Sequence, residues 1–298
     1  MFRFNSKIQR VFTAALLVFS ATASGCGRRD RGAGEAKTEG QPQYLMVKGS
    51  DTMVHLVSAW AEAYMKAAPN VEVSVTGGGS GTGIAALLNG TTDICVASRK
   101  MNEKEYDLAK EKGMEPKEFV VARDGIAVVV NPSNPVSELS VEKTGKIFTG
   151  AYTNWKQLGG PDADIIVLSR ESSSGTYVFF QEHVLNKKDY TPQARLMPAT
   201  SSIIQSVSSD KWAIGYVGLG YALEAGDKVK MLSIKADENS PAVVPSESTV
   251  VSGEYSISRP LHLYTAGRPQ AVAKQFIDFC LGLEGQEIVR QTGYIAVQ

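Results

Sequence analysis

From Tyr44 onward, short apolar runs alternate with stretches in which apolar residues recur every three to four positions. YLMVKGS predicts a strand. Val54, Val57, Trp60, Ala61 and Tyr64 then share one face of a helix over about 53–68, and the alternation in VEVSVTG predicts a second strand. Next come a short helix over IAALLNG, a strand over DICVAS, a polar helix over about 102–112, and the apolar strand DGIAVVVNPSNP, halted by two prolines. A second series holds a helix over about 141–148, the strand IIVLSR, a helix opening at Ser174, another around Ser202, and the strands IGYVGL and VKMLSI. The strand-like SISRPLHLYT and helices over about 271–283 and 285–290 close the chain. This rhythm is that of an α/β fold, with no fixed-period repeat. Two α/β units fit the length better than one sheet: a lobe of residues 44–127 plus 259–298 and a lobe of residues 128–258. The chain crosses between them at the strands around 125–131 and 256–264. A cleft between such lobes, outside the carboxyl ends of strands, is where ligands bind.

Upstream of Tyr44 the pattern changes. A basic stretch, MFRFNSKIQR, precedes the apolar run VFTAALLVFSA and small residues up to Gly25, so residues 1–25 read as a signal peptide. The apolar run is too short for a permanent membrane span. Small residues directly before Cys26 resemble the lipobox of bacterial lipoproteins, although Ala23 stands where that motif usually has leucine. Cys26 is the expected lipidation site; ordinary secretion with a free thiol is the other reading. The polar, glycine-rich residues 26–43 read as a flexible tether.

Composition narrows the classes. Of the 298 residues 43% are hydrophobic, as in ordinary globular proteins. Formal charge is zero, and loss of a leader carrying Arg3, Lys7 and Arg10 leaves a mildly acidic remainder, so no nucleic-acid surface is implied. Cys95 and Cys280 lie in apolar stretches, and pairing or burial as free thiols are both open. His55, His183 and His262 show no metal-ligand spacing. His55 reads as a helix-cap or surface residue, and Trp60, Trp155 and Trp212 read as packing residues.

The candidate chemistry lies in three strand-to-helix turns: Gly49-Ser50-Asp51-Thr52, Gly79-Ser80-Gly81-Thr82-Gly83 and Arg170-Glu171-Ser172-Ser173-Ser174-Gly175-Thr176. The first turn of a helix offers backbone N–H groups and the positive end of the dipole, which favour an anion; Ser and Thr add donors and Gly allows close approach. Each turn alone could be a simple N-cap, but three at the same end of three strands suggest convergence on an anion. Arg170, at its strand end, would hold two oxygens of a tetrahedral oxyanion with its fork, and Arg99 occupies a comparable position after Ser98.

In this order and spacing, the GSDT turn, the glycine-serine loop, a Ser-Arg strand end, DGIAVVVNPSNP and RESSSGTY resemble the phosphate-binding proteins of bacterial ABC-type phosphate importers, the PstS family. The resemblance covers most of Tyr44 to Gln298. It implies a two-lobed periplasmic-binding-protein-like fold of type II with two hinge-crossing segments. It also implies a monomeric, extracytoplasmic, lipid-anchored protein that captures inorganic phosphate and delivers it to a membrane permease, with no catalytic residue, cofactor or metal. By motif, Thr52, the Met53 backbone, Ser80, Arg170, Ser174, Gly175 and Thr176 would contact phosphate, with Ser50 in the same turn. One departure stands out: the best-described members have an aspartate where this chain has Arg99, and that carboxylate accepts the ligand's proton and excludes sulfate. Asp124 is expected either to partner Arg99 or to supply the missing acceptor, with a structural salt bridge as the other reading.

Competing readings keep the fold and change the ligand to sulfate, molybdate, tungstate or arsenate, or make the protein a phosphate sensor. An enzyme reading rests on Gly81-Thr82-Gly83-Ile84-Ala85-Ala86, which satisfies the dinucleotide pattern G-x-G-x-x-A. Against it stand export and a following helix, IAALLN, of under two turns. The P-loop and G-x-S-x-G patterns are not met.

Overall fold

The computed structural model describes residues 42–269 and 271–297; the expected signal peptide, Cys26 and nearly all of the tether lie outside them. In chain order the described residues open with β1 (Gln43–Gly49), a 3₁₀ turn at Asp51–Met53, α1 (Val54–Ala67), β2 (Val71–Thr76), α2 (Ser80–Leu88), β3 (Ile94–Ala97) and α3 (Glu103–Glu111). The long β4 (Lys117–Val130) leads into β5 (Glu138–Ser140), α4 (Val141–Phe148), β6 (Ile166–Arg170), α5 (Gly175–His183), β7 (Arg195–Met197) and α6 (Thr200–Ser209). Then follow β8 (Ala213–Gly218), α7 (Leu219–Ala225), β9 (Lys230–Met231), β10 (Ser233–Lys235), β11 (Ala242–Val243) and α8 (Glu247–Val251). The return strand β12 (Ser258–Thr265) and helices α9 (Ala271–Leu281) and α10 (Leu283–Gln291) complete the chain.

The strands form one hydrogen-bonded path, β2-β1-β3-β12-β4-β8-β6-β7, with β9 beside β4; β11-β10-β5 make a small separate sheet. The expected pair of α/β units is therefore fused through β4. Its residues Lys117–Gly125 pair antiparallel with β12, and Ile126–Val130 pair with β8. Its side chains change core at the same place. Val121 and Ala122 pack with Leu45, Trp60 and Phe276, whereas Ile126, Val128 and Val130 pack with Phe148, Trp155, Phe180 and Tyr216. Asp124 sits at the changeover and Arg259 of β12 is its register partner.

Both faces of each half are covered, so the parallel strands read as nearly continuous apolar runs. In the first lobe the α1, α9 and α10 side is one cluster, and Ile84, Leu87, Cys95 and Ala97 form another on the α2 side. Cys95 and Cys280 are free, buried and in different clusters, which settles that open point. Trp60 and Trp155 are core residues, their indole N–H groups donating to the carbonyls of Gly285 (2.7 Å) and Trp212 (3.1 Å). One expectation needs correction. The helix after the glycine loop is nine residues long and begins at Ser80, because the loop's own SGTG forms its first turn. Helix length therefore gives no argument against a dinucleotide.

Candidate functional site

β1, β2 and β6 end on the three expected turns, and the structure brings their hydroxyls together in the interior. Ser50 Oγ donates to Ser98 Oγ at 2.9 Å, Ser98 Oγ lies 3.3 Å from Ser80 Oγ, and Ser98 N donates to Ser80 Oγ at 3.0 Å. A second pair bridges the lobes: Thr52 Oγ1 and Thr176 Oγ1 are 2.7 Å apart. All five side chains are buried. Between the pairs sits Gly175, where a Cβ would lie 2.3 Å from Ser80 Oγ and 2.7 Å from Ser98 Oγ, so only glycine admits this approach. The turns also meet through their backbones, Gly81 N donating to Ser173 O at 3.0 Å.

Two expected residues play local parts here. Ser174 is the N-cap of α5, its Oγ accepting from the N–H groups of Thr176 and Tyr177. Met53 is buried and its N–H is taken by Ser50 O at 3.1 Å.

The charges are arranged differently from expectation. The Arg170 guanidinium is buried at the end of β6, but its fork is already engaged. Nε donates to Met197 O (3.1 Å), Nη1 to Thr200 Oγ1 (2.7 Å) and Nη2 to Pro198 O (2.9 Å), with Asp51 Oδ2 3.2 Å from Nη1. Arg99 likewise forms a two-pronged pair with Glu105 at 2.7 and 2.8 Å, leaving its buried Nε without a partner.

Asp124 does not partner Arg99. That expectation is corrected by strand register, which sets Asp124 opposite Arg259. Arg259 Nη2 donates to Asp124 Oδ2 at 3.1 Å and to Thr176 Oγ1 at 2.9 Å, while Asp124 Oδ1 accepts the N–H of Leu219 at the start of α7. Asp124 is wholly buried and Arg259 is 2% exposed. Burial pushes the Asp124 carboxyl above its ordinary range, with Arg259 beside it pulling the other way.

Arg259 is the residue that sequence reasoning missed. Its Nε and Nη1 are buried and have no hydrogen-bond partner, and its guanidinium carbon lies 5.3 Å from the centre of the Phe179 ring. A bare buried donor on a charged group is costly. Its position at the end of the Thr52–Thr176 bridge makes it the charged floor of the hydroxyl cluster. The signal was a lone arginine ahead of the apolar PLHLY stretch of the return strand. Ser98, whose hydroxyl joins Ser50 to Ser80, was also passed over.

Residues 33–284 match the family model described as a PBP superfamily domain. A phosphate-binding protein PstS of Staphylococcus haemolyticus is 35% identical over 269 residues, covering 88% of this chain and 81% of that one. The chain belongs to the PstS family of phosphate-binding proteins. Solved relatives agree. A structure with bound phosphate from Clostridium perfringens, assigned as a phosphate ABC transporter substrate-binding protein, matches with a TM-score of 0.78 at 32% identity, over 86% of this chain and all of that one. An ABC-type phosphate transport receptor from Vibrio cholerae matches with a TM-score of 0.68 at 29% identity, over 85% and 100%. The fold is thus the α/β periplasmic-binding-protein-like fold of this family, and the chain is a binding protein rather than an enzyme.

Proposed function

We propose that this chain captures inorganic phosphate between a lobe of residues 44–127 and 259–298 and a lobe of residues 128–258, and delivers it to the permease of an ABC-type importer. The observation that carries the reading is Arg259: two of its buried guanidinium nitrogens have no partner, and the third donates to Thr176 Oγ1, which is itself paired with Thr52 Oγ1 from the other lobe. Ser50, Thr52, Ser80, Gly175 and Thr176 line the site, with Ser98 and Arg259 added to them. Met53 and Ser174 shape its turns, and Arg99 and Arg170 contribute positive charge at its border. Cys26 is the lipid attachment that holds the protein to the outer side of a bacterial membrane; Cys26→Ser is expected to release it from the membrane fraction, and continued sedimentation with membranes refutes the anchor.

A charge-assisted hydrogen bond nets about 1.5–3 kcal/mol. Several of them, less the cost of dehydrating the anion, leave roughly 8 kcal/mol, which is micromolar affinity. The test is calorimetric titration of the purified chain, stripped of ligand by unfolding and refolding, with phosphate, sulfate and molybdate at about pH 6 and about pH 8. Micromolar or tighter phosphate binding without sulfate heat is expected. Preference for sulfate or molybdate overturns the assigned ligand and keeps the fold; no binding of any of the three overturns the reading.

A further inference from the structure

Helix α6 has no cap of its own. The residue before it is Ala199, which has no side chain able to accept from the first N–H groups. The cap comes from 149 positions earlier, in the other lobe: Asp51 Oδ2 accepts from Thr200 N at 2.7 Å and from Thr200 Oγ1 at 2.9 Å. The same oxygen lies 3.2 Å from Arg170 Nη1, which itself donates to Thr200 Oγ1. A helix N-terminus, a hydroxyl and a guanidinium form a receptor suited to an oxyanion, and here a carboxylate of the protein's own occupies it. Tyr221 of α7 reinforces the contact, its hydroxyl donating to Asp51 O at 3.1 Å. Asp51 leads directly from β1 into Thr52, so this contact is tied to the candidate site by one peptide bond.

We infer that Asp51 is an interlobe latch: its carboxylate stands in for a bound anion at the N-terminus of α6, holding the lobes together and slowing the departure of the ligand. The inference rests on the reading that phosphate binds between lobes that open and close. Opening withdraws Asp51 from α6, leaving both the helix end and Arg170 to water. Closing restores three contacts at one carboxylate oxygen. The latch is a positioning device, since Asp51 acts on the lobes and not on the ligand.

The test compares full-length wild type with Asp51→Ala, Thr200→Val, the double variant, and Asp51→Ala combined with Ala199→Asp, which gives α6 a local cap. Small-angle scattering of the ligand-free proteins and stopped-flow dissociation of phosphate are measured on each. Asp51→Ala is expected to enlarge the ligand-free radius of gyration and to speed phosphate release by roughly tenfold to a hundredfold. Thr200→Val, remote from the hydroxyl cluster, moves both in the same direction but less, and the double variant is no worse than Asp51→Ala. The added cap raises the melting temperature without restoring slow release. Unchanged radius and rate in Asp51→Ala, or full recovery of both with Ala199→Asp, overturns the latch. If wild type binds no phosphate, the function reading fails, and the scattering comparison alone then decides the latch.

Discussion

Arg259 and Asp124 form a buried pair in which one guanidinium nitrogen has two acceptors and the other two have none. Removing one member of such a pair strands the other's charge, at a cost of about 3–5 kcal/mol. Arg259→Gln is therefore expected to lower stability by about that amount in urea titrations and to weaken phosphate binding at least roughly tenfold. The double change Arg259→Leu with Asp124→Leu recovers stability but not affinity. Recovered affinity in the double variant would remove Arg259 from the site. A second prediction concerns His262, buried in β12 with Nδ1 2.8 Å from Glu118. Burial holds its pKa below the ordinary 6.5, against the pull of Glu118. The unfolded chain therefore takes up a proton that the folded chain refuses, and stability falls as pH drops from 6.5 toward the lowered folded value. Replacing His262 with Phe is expected to flatten that acid-side loss, as read from melting curves at about pH 7.5 and about pH 5; an unchanged slope assigns the loss to other groups. At this scale legibility was uneven. The hydroxyls of Ser50, Thr52, Ser80 and Thr176 announce themselves by the glycine-rich turns that hold them, whereas Ser98 lies outside such a turn. Arg259 did not, because a single charge in a strand usually points to solvent, and only the register with Asp124 turns it inward.

Among the elements, the glycine-serine loop answers for a close approach. Gly79 has φ +104°, and a Cβ there would meet Ser173 O at 2.6 Å; a Cβ on Gly83 would meet Gly49 Cα at 2.5 Å. The loop seats α2 tightly on β1 and presents Ser80 to α5. Gly175→Ala is expected to weaken phosphate binding at least roughly tenfold, because the added methyl strikes Ser80 and Ser98 only when the lobes meet. With the ligand-free lobes held together by Asp51, the same clash is expected to lower the ligand-free melting temperature as well; wild-type affinity would show that the turns need not touch. Helices with clear periodicity, α1 and α4 above all, were readable, with α4 found at the expected residues. Short strands such as β5, β7 and β11 were not, since two or three residues carry no period, and VKMLSI split into β9 and β10. The first turn of α2 was hidden for another reason: glycine has poor helix propensity, and packing against β1 outweighs it.

On the scale of the molecule, the site draws on both halves of a sheet that one long strand joins. A ligand gripping Thr52 and Ser80 on one side and Gly175 and Thr176 on the other binds only the assembled form and stabilises it by mass action. Phosphate at 100 times its dissociation constant is expected to add about 2.7 kcal/mol of stability, seen as a rise in melting temperature that sulfate does not reproduce. An equal rise with sulfate would mean the site does not discriminate. The α/β character was readable from element order, whereas the fusion of the strands into one path through β4 was not, because its apolar run gives no sign that its two ends serve different partners. The crossing itself has a mechanical consequence. Gly125 pairs with Ser258, and Ile126 N donates to Ile257 O at 2.8 Å, so the two connections form a laced ribbon rather than two independent strings. A ribbon bends across its flat face more readily than it shears, so under the proposed function opening of the lobes is expected to run about a single axis. Arg259 follows Ser258 on that ribbon, so under the proposed function the charge offered to the anion is expected to travel least while the hydroxyls of the two sides close around it.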